Sequence, residues 1–369
     1  MKKAVGFALA VLLMATSFAE AQRGGGRWGG RGNWGGGWIR RTPPDAPRPP
    51  EDPNSPATMR AVEDGGALEL PPILFHDGGR YQVSDFDGKL LVICLMHSWY
   101  VEDTFKGFAK LPQLYRNAPV KFVGVMYGRT PDEVKTALRL ADPGMPIMPD
   151  TFDLTRQRLR AAGAGYVGRE MVVIGPEGTV VGTGATSAVI EKALESVGWK
   201  YRDGGYDKGL AEAINLLEWN QYERGVPIVR RLTFSANKSL AESAKKLYDV
   251  LLAEGRQLKE QADEIAQKQP AEAHDIYQKL ATSFAGDELA KAVQEPLSRL
   301  KASKEVKDEQ AARKMAEQIH GVMAQADRTK RFEIAKYCRS IAEKYPGTPT
   351  AQKVMRLAKE LENVRAWEE

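Results

Sequence analysis

Residues 88–103 read GKLLVICLMHSWYVED, and the fold turns on how they are read. Leu90 to His97 is an almost unbroken apolar run, the pattern of a strand buried on both faces of a sheet. From Val101 to Tyr115 the apolar residues Phe105, Phe108, Leu111 and Leu114 recur every third position, which is helical spacing. The alternation continues outward. Val120–Tyr127 is a second apolar strand. Thr130-Pro131-Asp132-Glu133 is a capping box with proline at the first helical position, opening a helix to about Leu140. A short strand near Ile147, a helix from Asp153 to about Ala162 and a strand Met171–Ile174 come next. Gly175-Pro176-Glu177-Gly178 is a turn into Thr179–Gly182, as in a hairpin. Ser187 can cap a last helix that stops at Gly198.

Residues 88–103 resemble the strand-to-helix junction of the periplasmic thioredoxin-like reductases, roughly GK, an apolar strand, then A-T-W-C-x-x-C. Trp99 falls on the family tryptophan, so Tyr100-Val101-Glu102-Asp103 stand where the Cys-x-x-Cys would be. Phe152-Asp153-Leu154 and the strand–GPEG–strand element match as well. The resemblance implies a thioredoxin-like α/β domain over 70–203, about a third of the chain. It also places Arg169 on the family's cis-proline. A non-proline cis bond costs about 3 kcal/mol, so this peptide is expected to be trans. Thiol–disulfide exchange needs a thiolate and a resolving thiol, and a tyrosine and a carboxylate supply neither. Trp99, Tyr100, Glu102, Asp103 and Arg169 therefore read as a degenerate site, with no catalytic residue, cofactor or metal expected. Glu102 and Asp103 suit the first turn of a helix, where carboxylates meet the positive end of the macrodipole; acid–base work is the sharper alternative. His97 with Glu102 and Asp103 makes a weak metal set. Trp99 and Tyr100 could grip a partner or lid the core.

After Tyr201-Arg202-Asp203-Gly204-Gly205 the apolar spacing is helical to the end, giving an all-α domain over 204–369. An offset of 61 residues aligns Ile276, Leu280, Ala281, Phe284, Gly286, Ala290 and Val293 with Tyr337, Ile341, Ala342, Tyr345, Gly347, Ala351 and Val354. The second copy, AEKYPGTPTAQKV, looks like the inter-helix turn of tetratricopeptide-type repeats, and Ile228–Leu252 is a poorer third copy. Such units are helical hairpins that bury their faces by stacking. The charged stretches Leu258–Gln269 and Lys301–Lys314 read as solvated helix faces. The two domains are expected to meet near Gly204 and to be separable.

Upstream, Lys2 and Lys3 precede an apolar core Val5–Met14 and Ala19-Glu20-Ala21, a signal peptide over 1–21 cleaved after Ala21. Residues 22–69 are a Gly/Arg/Trp-rich and then Pro-rich linker expected to be disordered. Trp28, Trp34 and Trp38 among its arginines give either a plain spacer or a tail that adsorbs weakly to surfaces. Of the net charge of +5, Gln22–Arg60 carries seven arginines against Asp45, Glu51 and Asp52. The chain after Arg60 is nearly neutral, which gives no case for a nucleic-acid surface. Cys94 lies inside LLVICLM as a small buried hydrophobe and Cys338 in an amphipathic helix, so a bridge between them is not expected.

These readings point to an exported, redox-inactive protein of the periplasm or beyond, with no transmembrane segment once the signal is removed. It would act as a binding or scaffolding module that takes an envelope protein or peptide through its helical repeats. The rival is a divergent redoxin using Cys94, or a non-thiol activity at Glu102 and Asp103.

Overall fold

The apolar run becomes β1 (Leu90–Met96), with all seven residues buried. The computed structural model describes residues 68–96, 101–164 and 171–363, except for the side chains at 101–104. The expected leader 1–21, the linker up to residue 67, His97, Trp99, Tyr100 and Arg169 lie outside the described residues. β1 is the centre of a five-stranded sheet ordered β3-β2-β1-β4-β5. It pairs in parallel with β2 (Val120–Tyr127), Leu90 opposite Val120, and antiparallel with β4 (Met171–Ile174), Leu91 opposite Ile174. β3 (Ile147–Asp150) extends the parallel side, while β5 (Val180–Gly184) closes the other side as a hairpin with β4. Parallel strands joined by helices, then a hairpin and a helix, make this a thioredoxin-like α/β arrangement. Gly124 on β2 lets its neighbours close in: a Cβ there would sit 2.3 Å from Ile147 Cδ1 and 2.9 Å from Met96 Cε, so both side-chain ends would have to shift.

The helices follow their caps and breakers. α1 runs Val101–Phe108 and breaks, and a separate turn α2 (Leu111–Leu114) follows. One continuous helix to Tyr115 is therefore not formed: Pro112 has no N–H to give to the Phe108 carbonyl. Leu114, expected on the apolar face, is 68% exposed. α3 (Pro131–Leu140) opens on the capping box as read: Thr130 N donates to Glu133 Oε2 at 2.8 Å and Glu133 N to Thr130 Oγ1 at 3.4 Å. α4 (Leu154–Leu159) starts after Asp153, which takes a left-handed φ of 57°, and runs on into a wider turn, Arg160–Ala164. α5 (Ala188–Leu194) follows Ser187, whose hydroxyl makes no cap bond and instead donates to Glu191 Oε1 at 3.3 Å. It ends before Gly198 because Ser196 and Val197 N–H bond back three residues, to Ala193 and Leu194.

Past Tyr201 the described residues are helical: α6 (Ala211–Glu218), α7 (Tyr222–Leu232), α8 (Lys238–Ile265), α9 (Pro270–Ser283), α10 (Glu288–Ala302), α11 (Lys304–Met323), α12 (Arg331–Lys344) and α13 (Pro349–Asn363). In two places the chain makes the same turn. Phe284 N donates to the Leu280 carbonyl and Tyr345 N to that of Ile341, both at 3.0 Å. Two residues on, Gly286 and Gly347 take φ of 81° and 82°. A left-handed glycine just past a helix C-terminus ends the helix and starts the return.

The sheet has two differently filled faces. Leu90, Val92, Cys94 and Met96 face Phe105 of α1, Val134 and Ala137 of α3 and Ile190 of α5. Leu91, Ile93 and Leu95 belong to a second cluster with Leu154 and Leu159 of α4. That cluster continues without a break through Ile319 of α11, Ile334, Cys338 and Ile341 of α12 and Leu357 and Leu361 of α13. Helices α6–α10 have their own core around Leu217, Leu247, Tyr277 and Val293. The last helices thus share the sheet's hydrophobic core rather than that of the helices before them.

Candidate functional site

Of the degenerate positions, Glu102 and Asp103 are described; their helix follows the C-terminal end of β1, the side of an open α/β sheet where ligands usually bind. Glu102 and Asp103 are the second and third residues of α1, the first-turn placement read from the sequence. Phe105, one turn on, is fully buried under the sheet. Cys94 is two residues back from the strand end, on the α1 face with no exposure, and burial alone drives its thiol far above the ordinary cysteine range. Cys338 is equally buried in α12, its thiol pushed up to about 12 chiefly by desolvation. The two cysteines are free and far apart, in the separate cores on either side of the sheet. Among the described residues no group of three or more His, Cys, Asp or Glu is placed to hold a metal ion.

Beside this edge, the ends of β2 and β3 carry a buried carboxylate pair that the sequence reading did not single out. Asp150 accepts from Leu154 N at 2.9 Å and Thr155 N at 2.7 Å, so it fastens the start of α4. Burial first, and then the charge of Asp153, push it up to about 7 against those two donors. Asp153 is also raised by burial, with Arg156 and Arg160 opposing. Arg156 donates to Asp153 Oδ1 at 2.8 Å and lies 4.4 Å over the Tyr127 ring. The helical region closes over this corner: Arg328 Nη2 donates to the Gly128 carbonyl at 2.7 Å, and Thr151 Oγ1 to the Ala326 carbonyl at 3.4 Å. The available signal was the D-x-x-D of residues 150–153 just ahead of a helix.

At the opposite edge a cleft of about 420 Å³ opens between the two regions, lined among others by Asp87, Lys89, Lys200, Tyr201, Glu218 and Tyr222. Most of its polar groups are already committed to one another. Glu218, buried on α6, holds Lys89 at 2.7 Å and accepts from Lys200 N at 3.1 Å, Tyr201 N at 2.6 Å and Arg202 N at 2.9 Å. Desolvation pushes Glu218 up, but these donors prevail and hold it below the usual carboxylate range. Tyr201 donates to Glu254 Oε2 at 2.6 Å, and burial raises its phenol far above the ordinary tyrosine range. The Glu218 network, with Lys89 and three backbone donors on one carboxylate, fixes the angle of a joint.

In α11 one charged residue of the stretch read as a solvated face is buried, along with Val306 and Ala312. Glu309 is 2% exposed and accepts from Thr350 N at 3.0 Å and Thr350 Oγ1 at 2.7 Å. It caps the start of α13 from a neighbouring helix.

No protein-family model and no curated protein matches the chain. Solved structures similar to its α/β part include the thioredoxin domain of a thiol-disulfide oxidoreductase from Bacteroides vulgatus, at 16% identity over 33% of this chain and 88% of that one, with a TM-score of 0.28. A thiol:disulfide interchange protein of the thioredoxin family from Chlorobium tepidum is 18% identical over 35% of this chain and 95% of that one, TM-score 0.28. A thiol-disulfide oxidoreductase from Bacteroides fragilis is 14% identical over 33% and 93%, TM-score 0.29. At these identities and scores the likeness adds nothing to the strand order and strand senses described above, on which the fold rests.

Proposed function

We propose that this protein is an exported binding or scaffolding protein whose thioredoxin-like domain has no role in thiol–disulfide exchange. The observation that carries the reading is the state of its two thiols: both buried, both with raised pKa, in separate cores. Exchange proceeds through an accessible thiolate, and a thiol in either position has neither property. Tyr100 and Asp103 at the positions of the family cysteines support the same reading, and Trp99, Glu102 and Arg169 would then form a remodelled recognition edge. The sequence from Lys2 to Ala21 supports export to the periplasm or beyond.

The helical part is proposed to be tetratricopeptide-like. Support comes from the matched hairpin turns at Phe284–Gly286 and Tyr345–Gly347 and from the seven paired positions around them. Stacked hairpins of this kind present an extended surface suited to a peptide or a partner helix, here one belonging to an envelope protein.

The test is thiol labelling of the native protein, read beside turnover of a disulfide substrate. Both cysteines should react only on the timescale of global unfolding, and Cys94→Ala should leave any background reduction unchanged. Fast labelling of Cys94 with reductase turnover that the substitution abolishes would establish the redoxin reading instead.

A further inference from the structure

Close to the joint, two tryptophans and two cations make a corner that the binding reading does not use. Trp199 and Trp219 meet edge to face with centroids 5.8 Å apart. The Arg202 guanidinium lies 3.7 Å from the centre of the Trp199 ring, and the Lys121 ammonium 4.4 Å from that of Trp219. Three separate stretches of chain build the arrangement, around residues 117–121, 199–202 and 215–219, and hydrogen bonds hold it. The Trp199 indole N–H donates to the Asn117 carbonyl at 3.1 Å, and Arg202 Nη2 donates to Asn215 Oδ1 at 2.7 Å.

Both cations are open to solvent at their free ends. Cation–π contacts hold a cation in place but leave its charge uncancelled. Among the described residues neither Lys121 nor Arg202 forms an ion pair. Glu218, adjacent to Trp219, is fully engaged by Lys89 and three backbone N–H groups. Lys121 registers the imbalance: partial desolvation, and after it the charge of Arg202, hold its ammonium below the ordinary lysine range. Two like charges kept near each other, with donors still open and no counter-ion among the described residues, are arranged to gain one.

We propose that the Trp199–Trp219 corner is a binding site for a phosphate-class oxyanion, free or carried as a phosphomonoester head group, with Arg202 and Lys121 as its ligands. A guanidinium already fixed by one hydrogen bond and one ring offers its remaining N–H groups in a planar fork, and the ammonium adds a point charge. Together they match the charge of a phosphate dianion. The tryptophans are the platform that positions the cations, since each already has a cation over its ring.

The test uses the full chain in calorimetric titrations with inorganic phosphate at constant ionic strength, and in parallel with vesicles of neutral lipid with and without phosphatidic acid. Variants are Arg202→Gln, Lys121→Met (which keeps the apolar stem) and, as a control for the arginine-rich tail, the triple substitution of Arg23, Arg27 and Arg31 to Gln. Circular dichroism and melting curves verify that each is folded. Phosphate affinity should fall about tenfold or more in Arg202→Gln and in Lys121→Met and stay unchanged in the tail variant. Vesicle binding with the same pattern assigns the head-group form, and phosphate binding without it the free form. Phosphate affinity equal to wild type in both corner variants, loss only in the tail variant, or no phosphate binding at all overturns the proposal.

Discussion

At the scale of single residues, Asp150 and His320 give the protein two opposed pH dependences. An unfolded aspartate loses its proton near pH 4, whereas burial and Asp153 keep Asp150 protonated up to about 7. Its contribution is therefore fully present below pH 4 and is lost as pH rises through 7. His320 works the other way. Desolvation, with Arg80 behind it and Glu317 opposing, lowers it to about 4. An unfolded imidazole takes its proton near 6.5, so the contribution of His320 is present above 6.5 and lost as pH falls toward 4. Urea unfolding of His320→Gln should show stability falling steadily between pH 4 and 7, by on the order of a few kcal/mol. Asp150→Asn should show it rising over the same window, from a lower absolute level because one backbone N–H loses its acceptor. A flat profile for His320→Gln over this window would mean that Asp150 ionises normally. The D-x-x-D of residues 150–153 marked a carboxylate pair in the sequence, but neither the shift of Asp150 nor that of His320, which lies within a helix, was legible there. Both shifts come from burial, which tertiary packing decides.

At the scale of elements, local chemistry left clear marks. β1, β2 and β4 and the Thr130 capping box were readable because continuous apolarity and a cap-plus-proline pattern act within a few residues. The break at Pro112 was equally local, but the spacing of Leu111 and Leu114 concealed it. The two hairpin turns allow a sharper check. At Gly347 a Cβ would meet nothing within 4 Å, so Gly347→Ala should cost only the left-handed backbone term, about 1 kcal/mol. At Gly286 it would lie 2.8 Å from Arg230 Nη1, whose guanidinium bonds the Ala285 and Gly286 carbonyls. Gly286→Ala should therefore lower the melting temperature more than Gly347→Ala. Equal losses would show that Arg230 yields freely.

At the scale of the whole molecule, the described residues belong to one unit, Pro53–Glu369. The change from alternating to helical spacing was visible at Gly204, but the destination of the last helices was not. An amphipathic stripe shows that a face is buried without showing what covers it. Here the answer is the sheet: Arg158 of α4 holds Glu360 of α13 at 2.7 Å, above a continuous apolar cluster. The cation–tryptophan corner is equally non-local, drawing on residues 117 to 219. Separation of the parts at residue 203 therefore has a definite expected outcome. A chain ending there should bind a hydrophobic dye and melt without cooperativity, because the Leu91, Ile93 and Leu95 face has lost its helical cover. Sharp, dye-free melting of both halves would show that the shared core is dispensable.

The pairing of Glu69 with Lys353, at 2.8 Å, and with Arg356 joins residues 287 positions apart in the second case. Desolvation pushes Glu69 up, yet the basic groups of α13, with Arg158, hold it ionised below its usual range. The consequence is one of timing. A chain emerging from its amino end makes the whole sheet long before α13 exists to complete the second face. Through synthesis of some 150 residues, at roughly 5–20 residues per second, the half-covered sheet must wait. The final helix is thus a clock as well as a wall. Ribosome-bound chains stalled before Pro349 should remain sensitive to protease across 68–203, and resistance should appear only once Glu360 has cleared the exit.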